Sequence, residues 1–157
     1  MKYRVVPIPE HISDQVRATQ KSPQYGHPAH VETATGYGPC RSCLRIFVEG
    51  TEKRILFTYN PFAGLSDLPA PGPIFVHKEK CQSYKGAGVP DNLRQLPLIL
   101  EGYGDHSELI RREKIVGSRV ENQIAKILSL PTVRYVNIRN SEAGCFVARI
   151  ERVIGEG

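Results

Sequence analysis

The chain of 157 residues contains no tryptophan, one methionine and four cysteines. At this length it can bury a hydrophobic core without disulfides or a metal for bulk stability. A hydrophobic fraction of 40% and a charged fraction of 24% exclude a fully disordered chain. Glycine and proline together number 26 but follow no period, which excludes collagen and low-complexity sequence.

The sequence also lacks any apolar stretch long enough to span a bilayer. Its first residues lack the hydrophobic region of a signal peptide. We therefore expect no membrane partner and a cytoplasmic protein of bacterial type. Its thiols would stay reduced there unless a metal binds them.

No segment is dominated by charge of one sign. The net charge of +5 is spread along the chain, and the densest basic clusters, 78–80 and 111–114, are each interrupted by an acidic residue. This favours a solvated surface of mixed charge over a patch that tracks phosphates, so we do not expect nucleic acid as a partner. A P-loop, a G-x-G-x-x-G motif and an H-E-x-x-H motif are absent as well.

Glycine and proline are concentrated in the first 104 residues, which hold 21 of the 26. Such residues interrupt regular structure, so we predict long loops in the N-terminal two thirds and regular elements in the last third. We predict a single domain over 1–157, with a strand and loop-rich lead-in at 1–39 and a core at 40–157.

The clearest local pattern predicts a helix at about 118–130. Ser118 and Glu121 match the S-x-x-E capping box, and Pro131 ends the helix. Residues spaced at three and four positions form one apolar stripe, which consists of Val120, Ile124, Ile127 and Leu128.

Alternating apolar residues predict strands through most of the chain. We predict that 44–48 and 55–59 pair as a hairpin, because only a short glycine-containing link separates them. Further strands are predicted at 3–8, 73–77, 98–103, 109–116, 133–139 and 146–153. The fold class is therefore α+β, a mostly antiparallel β-sheet with the main helix packed on one face.

Four residues form a candidate metal site: Cys40, Cys43, His77 and Cys81. The first two make a C-x2-C pair, and the last two make an H-x3-C pair after 33 intervening residues. Zinc takes four sulfur or nitrogen ligands in a tetrahedron, and two close pairs on separate turns can supply them. We predict zinc as the cofactor, with independent buried thiols and a surface histidine as the alternative.

Two other uses of the C-x2-C pair stay open. His27 and His30 could join it as a rival ligand set, although loop histidines near prolines are usually solvated. A thiol–disulfide active site usually stands at the N-terminus of a helix. Here Cys43 runs into strand-like residues instead, which weighs against redox catalysis.

Cys145 and Arg139 form a second constellation at the predicted last hairpin, where Gly144 would adopt a positive φ. An arginine near a thiol can favour the thiolate and create a nucleophile. The alternative, which we prefer, is a buried cysteine beside a turn and an exposed arginine. His106 is interpreted as a solvated turn residue.

The order of several short motifs resembles a known family. These motifs are Gly38-Pro39-Cys40-Arg41-x2-Leu44, Tyr59-Asn60-Pro61-Phe62, Gly72-Pro73-Ile74-Phe75-Val76-His77, Cys81-x2-Tyr84, Val136-Asn137-Ile138-Arg139-Asn140 and Gly144-Cys145-Phe146-x2-Arg149-Ile150. From about 40 to 152 the chain is similar to the uncharacterised bacterial family labelled domain of unknown function twelve-zero-three. The resemblance implies a compact single domain and no particular activity.

Three functions follow, in order of preference. The first is a small binding domain with structural zinc. The second is a small metal- or cysteine-dependent enzyme that uses Cys145, Arg139 and His77. The third is a weak nucleic-acid binder.

Overall fold

The structure, a computed structural model, describes residues 3–36, 38–62, 72–115 and 119–153. Within these ranges the chain forms eight strands and three helices. Their order is β1 (Tyr3–Val6), α1 (Glu10–Thr19), β2 (His30–Thr33), β3 (Lys53–Tyr59), β4 (Gly72–His77), α2 (Asp91–Arg94), β5 (Leu98–Tyr103), β6 (Leu109–Ile115), α3 (Val120–Leu128), β7 (Tyr135–Asn140) and β8 (Phe146–Arg152).

The chain divides into two compact units. The five-stranded unit combines Met1–Val6 with Lys85–Gly157, and the three-stranded unit is Pro7–Tyr84. None of the helices in the described ranges combines the length and the hydropathy that a bilayer crossing requires.

The five-stranded unit contains one antiparallel sheet in the order β1-β8-β7-β5-β6. Helix α3 packs on one face of this sheet, against β5, β6 and β7. Gly102 lies under the helix, where an added Cβ would stand 2.6 Å from a methyl group of Ile127. The glycine therefore permits the close approach of helix and sheet. The predicted α+β fold with an antiparallel sheet is confirmed.

Helix α3 confirms the predicted helix over most of its length. All four residues of its apolar stripe are at most 1% exposed. Of the predicted capping box, Ser118 lies outside the described residues. At the other end, the Arg152 guanidinium donates to the carbonyls of Leu128 and Leu130. A cation there offsets the partial negative charge of the helix C-terminus.

The three-stranded unit contains an antiparallel sheet in the order β2-β3-β4. Helix α1 precedes the sheet and buries Ile12 and Val16. The helix ends at Thr19, and its C-cap residue Gln20 adopts a left-handed conformation with φ of 54° and donates its backbone N–H to Val16 O at 2.8 Å. The predicted strand at 73–77 is confirmed as β4.

The predicted hairpin between 44–48 and 55–59 is wrong. Strand β3 pairs with β2 and β4, whereas 44–48 forms no strand and follows a turn at 41–43, where Ile46 makes an isolated antiparallel bridge to Pro39. Cys40 N–H donates to Arg45 O at 2.9 Å, and Leu44 N–H donates to Cys40 O at 2.8 Å. Leu44 has φ of 61°, outside the extended region. The backbone after Cys43 thus bonds to residues 38–40 on the other side of the turn and not to β3.

Candidate metal centre

The C-x2-C pair lies on a tight turn. Two long-range backbone hydrogen bonds connect this turn to the rest of the three-stranded unit. Arg41 N–H donates to Phe75 O of β4 at 2.9 Å, and Tyr84 N–H donates to Ser42 O at 2.9 Å. The first contact brings the turn beside the end of β4, where His77 is the last residue. The second brings in the segment that carries Cys81.

The four predicted ligands therefore meet. One ligand atom from each of Cys40, Cys43, His77 and Cys81 lies within 4.8 Å of all the others. We call this group the Cys3His cluster. Three of its members are buried and Cys81 is half-buried. All three cysteines are free thiols, so no disulfide competes for the sulfurs.

Two separations inside the cluster match those of a coordination shell. Cys40 Sγ and Cys81 Sγ are 3.7 Å apart, and Cys43 Sγ is 3.5 Å from His77 Nδ1. A tetrahedral Zn²⁺ with bonds of about 2.3 Å to sulfur and about 2.05 Å to nitrogen separates two sulfurs by about 3.8 Å, and sulfur from nitrogen by about 3.6 Å. The cluster could therefore hold a metal ion with little rearrangement.

Glu52 contacts the other ring nitrogen of His77. Its Oε1 lies 3.1 Å from His77 Nε2, at ion-pair distance although not in an aligned hydrogen bond. Glu52 is itself held by the backbone N–H of Val48, which donates to Oε1 at 2.7 Å. This backbone bond, followed by the contact with His77, holds the pKa of Glu52 below its ordinary value. A carboxylate on Nε2 leaves Nδ1 toward the sulfurs, which is the usual support for a metal-binding histidine.

Arg17 of α1 supports the cluster at Cys81 and at the backbone of His77. Its Nη2 donates to Cys81 Sγ at 3.2 Å, and its Nε donates to His77 O at 2.9 Å. Cys40 Sγ also accepts the backbone N–H of His77 at 3.3 Å. Hydrogen bonds to sulfur stabilise thiolates, which are the form that binds metal.

The protonation of the cluster is strongly coupled. Hydrogen bonds from Cys40 and Cys81 lower the pKa of Cys43, while the same coupling to Cys43 and then to Cys81 raises the pKa of Cys40. The Cys43 thiolate, followed by Cys81, raises the pKa of His77 to about 10. Protons and a metal ion compete for these atoms, so metal binding would release protons.

Sequence reasoning identified the four members of the cluster but missed Glu52 and Arg17. Arg17 and Cys81 are 64 residues apart in the chain, and no local spacing marks either supporting residue. The rival histidines do not belong to the cluster: His27 stacks on Tyr25 and His30 begins β2. The residues that follow Cys43 form no helix, so the helix N-terminus that a redox C-x2-C uses is absent here.

Cys145 and Arg139 lie beside the β7–β8 turn, and Gly144 has the expected positive φ, at 78°. Arg139 donates from Nε to Gly144 O at 2.8 Å and from Nη1 to Glu101 Oε1 at 3.1 Å. The Cys145 thiol contacts the carbonyl of Ala143 at 3.9 Å. The guanidinium thus pairs with a carboxylate, and a nucleophilic role for Cys145 with Arg139 and His77 stays a prediction.

Glu101 is the acidic residue that sequence reasoning overlooked. Its side chain is 1% exposed in the middle of the five-stranded sheet. Arg112 donates to its Oε2 from Nε at 2.8 Å and from Nη2 at 2.6 Å, and Tyr103 donates to Oε1 at 3.1 Å. Burial opposes ionisation, but the bonds from Arg112 and then Arg139 outweigh it and hold the pKa of Glu101 below its ordinary value.

Together, the fold and the cluster define a small α+β protein with a candidate metal centre. Residues 37–152 match the family described as protein of unknown function (DUF1203), and the chain belongs to this family. The resemblance inferred from the short motifs is thereby confirmed. The curated proteins and the solved structures contain no match to this chain.

Proposed function

We propose that the protein is a binding domain whose three-stranded unit is held together by one Zn²⁺ at the Cys3His cluster. The observation that carries this proposal is the pair of separations, 3.7 Å and 3.5 Å, at which the cluster already holds its ligand atoms. The donor set supports zinc as the metal, since three thiolates and an imidazole suit a borderline-soft ion better than calcium or magnesium.

A structural role fits the number of ligands. Four protein ligands close a tetrahedral shell, whereas a catalytic zinc usually keeps one position for water or substrate. The ligands also come from separate parts of the unit: a turn at 40–43, the end of β4 and the irregular segment that follows it. A metal bound by all four ligands would link these segments, which form few regular backbone hydrogen bonds.

The chemistry of the site agrees with a cytoplasmic location, which we retain as part of the proposal. Free thiols persist in a reducing compartment, where they remain available to a metal. Metal binding would in turn protect them from oxidation.

The test is metal analysis of the chain purified without a chelator. We expect one zinc ion per chain in the natural protein and its loss in Cys43→Ser. Cys145→Ser is the matched control, because it removes a thiol that lies outside the cluster, and we expect it to keep the zinc.

Cobalt substitution tests the coordination itself. A tetrahedral site of three sulfurs and one nitrogen gives intense visible bands with bound Co²⁺ and a thiolate-to-metal transition in the near ultraviolet. A purified, folded chain that binds neither Zn²⁺ nor Co²⁺ would refute the proposal. A bound ion that Cys43→Ser leaves in place would do the same.

A further inference from the structure

The members of the Cys3His cluster differ in their exposure to solvent. Cys40, Cys43 and His77 are buried, whereas Cys81 is half-buried. The sulfur of Cys81 lies 3.7 Å from that of Cys40. We propose that the cluster is a peroxide-sensitive switch, in which oxidation joins Cys81 to Cys40 in a disulfide and releases the metal ion. This inference rests on the proposed function, since it assigns a form of regulation to the same zinc site.

Cys81 is the member of the cluster that an oxidant attacks first. The oxidation of a cysteine depends on its exposure and on its thiolate character. Arg17 Nη2 donates to Cys81 Sγ at 3.2 Å, and a guanidinium beside a sulfur favours the thiolate. Arg17 is itself held in place, because its Nε donates to His77 O at 2.9 Å and its Nη1 pairs with Asp14 at 3.4 Å.

Cys40 is the disulfide partner that the geometry selects. Cys43 Sγ lies 3.5 Å from His77 Nδ1, so this thiol contacts the imidazole. Cys40 is fully buried, which keeps a dissolved oxidant away from it but leaves it beside Cys81. The two sulfurs, at 3.7 Å, must approach by about 1.7 Å to reach the disulfide length of about 2.05 Å.

Cys81 lies in a part of the chain that can make this movement. Residues 78–90 form neither strand nor helix, so no hydrogen-bonded ladder fixes their backbone. On either side of Cys81, Lys78 N–H donates to Lys53 O at 3.0 Å and Tyr84 N–H donates to Ser42 O at 2.9 Å. The second bond joins this segment to the turn that carries Cys40, so the two sulfurs stay close to each other during the movement.

The oxidation takes place in two balanced steps. The Cys81 thiolate attacks one oxygen of hydrogen peroxide; a sulfur–oxygen bond forms, the oxygen–oxygen bond breaks, and hydroxide leaves with a sulfenic acid on Cys81. The Cys40 thiolate then attacks the Cys81 sulfur, which forms the disulfide, breaks the sulfur–oxygen bond and expels a second hydroxide. Both hydroxides take protons from water, the two sulfurs are oxidised, and the peroxide is reduced to water.

The disulfide removes half of the metal ligands. The thiolate is the form of cysteine that binds metal, so Cys40 and Cys81 no longer serve once they are joined. Cys43 and His77 alone do not fill the tetrahedral shell of a structural zinc site, and the ion leaves. A thiol reductant reverses the reaction by thiol–disulfide exchange, which makes the loss of metal a reversible switch.

The experiment uses the full chain, purified without a chelator, with its zinc content measured first. Hydrogen peroxide is then added, and zinc release is followed with a chromogenic chelator. We expect release of the bound zinc together with the loss of two thiols, and a peptide map in which Cys40 is linked to Cys81. Dithiothreitol with added Zn²⁺ should restore both the thiols and the bound metal.

Cys81→His removes the attacked sulfur and keeps four metal-binding side chains. Two thiolates and two imidazoles also form a common tetrahedral zinc site, so we expect this variant to retain zinc. Under peroxide its zinc should leave about tenfold more slowly, since the remaining thiols of the cluster are buried. Cys145→Ser is the matched control, because it removes a half-buried thiol outside the cluster, and it should release zinc as fast as the natural chain. If Cys81→His binds no zinc, the peptide map of the natural chain decides the outcome.

Several outcomes would overturn the proposal. A zinc-loaded chain that keeps its metal under peroxide would remove the switch and leave the structural zinc in place. A first disulfide between Cys40 and Cys43, or equal rates of zinc release in the natural chain and in Cys81→His, would also refute it. A chain that holds no zinc before peroxide is added would refute the zinc site itself and the switch with it, so the initial metal analysis distinguishes the two failures.

Discussion

The five-stranded unit pairs all of its strands in one antiparallel sheet and covers one face with α3. The three-stranded unit pairs only β2, β3 and β4, and leaves the turn at 40–43 and the segment after His77 outside the sheet. Both units belong to one chain, yet their backbone N–H and C=O groups find hydrogen-bond partners in different ways. The first uses a hydrogen-bonded ladder throughout, and the second places the four side chains of the Cys3His cluster at the end of β4 and in the irregular segments beside it.

Both units bury aliphatic side chains, and they differ in the polar groups that they bury. Leu100, Ile124 and Ile138 are fully buried in the five-stranded unit, and Ile55, Ile74 and Val76 are at most 1% exposed in the three-stranded unit. Around the turn of the three-stranded unit, Cys40 and Ser42 are fully buried beside His77, whose exposure is 6%. Buried polar groups need partners, and a metal ion would supply one for thiols and an imidazole together. We therefore predict that the three-stranded unit needs the proposed metal in addition to its packed core, whereas the five-stranded unit does not need it.

Metal removal should separate the two units most clearly. With a chelator we expect the amides of 38–47 and 72–84 to lose their protection from hydrogen exchange, while β5, β7 and β8 keep theirs. In small zinc domains the metal contributes on the order of 10 kcal/mol to folding, so the effect should be large. Hydrogen exchange followed by mass spectrometry makes the measurement, and zinc-saturated chelator is the control. Equal loss of protection in both units would contradict the prediction that only the three-stranded unit depends on the metal.

A cavity in the aliphatic core should have the opposite effect. Ile124→Ala removes a fully buried side chain of α3, and we expect the free energy of unfolding of the five-stranded unit to fall by about 3 kcal/mol. The bound metal should remain at one ion per chain. Ile110→Ala, at a position that is 38% exposed, is the control and should cost less than about 1 kcal/mol. Urea unfolding together with metal analysis decides the outcome.

Acid should weaken the five-stranded unit through Glu101. Its pKa in the folded protein lies below the ordinary value of 4.5, so the folded state binds fewer protons in the acid range. The stabilisation is complete above the ordinary value and is lost as the pH falls through the folded value. Glu101→Gln should cost about 2 kcal/mol at neutral pH by weakening charge-assisted hydrogen bonds, and it should flatten the decline below pH of about 4.5.

Unfolding curves measured across the acid range test this prediction. Glu142→Gln, on the exposed β7–β8 turn, is the control and should keep the decline of the natural protein. A decline that persists unchanged in Glu101→Gln would assign the acid sensitivity to other carboxylates.

The smallest expected effect concerns two residues with left-handed backbone conformations, one in each unit. Gln20 has φ of 54° at the end of α1, and Gln20→Gly should stabilise the three-stranded unit by about 1 kcal/mol because glycine adopts this conformation without strain. Ser107 has φ of 58° in the other unit, but its hydroxyl contacts the Tyr135 hydroxyl. Ser107→Gly should therefore change stability little. Melting temperatures of the zinc-saturated variants compare the two.

Local patterns predicted the elements whose partners are near in sequence. The stripe of α3 and the strands that follow it were identified because periodicity alone distinguishes a buried helix face from alternating strand positions. The hairpin at 44–48 was predicted wrongly because alternation does not say which segment is the partner: the residues after the turn at 41–43 bond to 38–40 and not to β3. There, contacts with β4 and the left-handed Leu44 determine the path of the chain.

The same limit applied to the candidate sites. Spacing identified Cys40, Cys43, His77 and Cys81, since pairs of ligands two and three residues apart are a feature of the chain itself. Glu52 and Arg17 were missed, as was the pairing of Arg139 with Glu101, 38 residues away. Each of these side chains contacts a partner that is far away in the chain, and no periodicity of the sequence indicates such a contact.

The sequence by itself determined the α+β class, the main helix, the family and the four residues of the Cys3His cluster. Each of these depends on residue types at short, regular separations. Only the tertiary structure decided that the four side chains of the cluster lie within 4.8 Å of one another, that Glu101 is buried beside arginines, and that Arg149 lies over the ring of Tyr135. The physical reason is that strand register and long-range backbone bonds set these distances, and they join residues that are far apart in the chain.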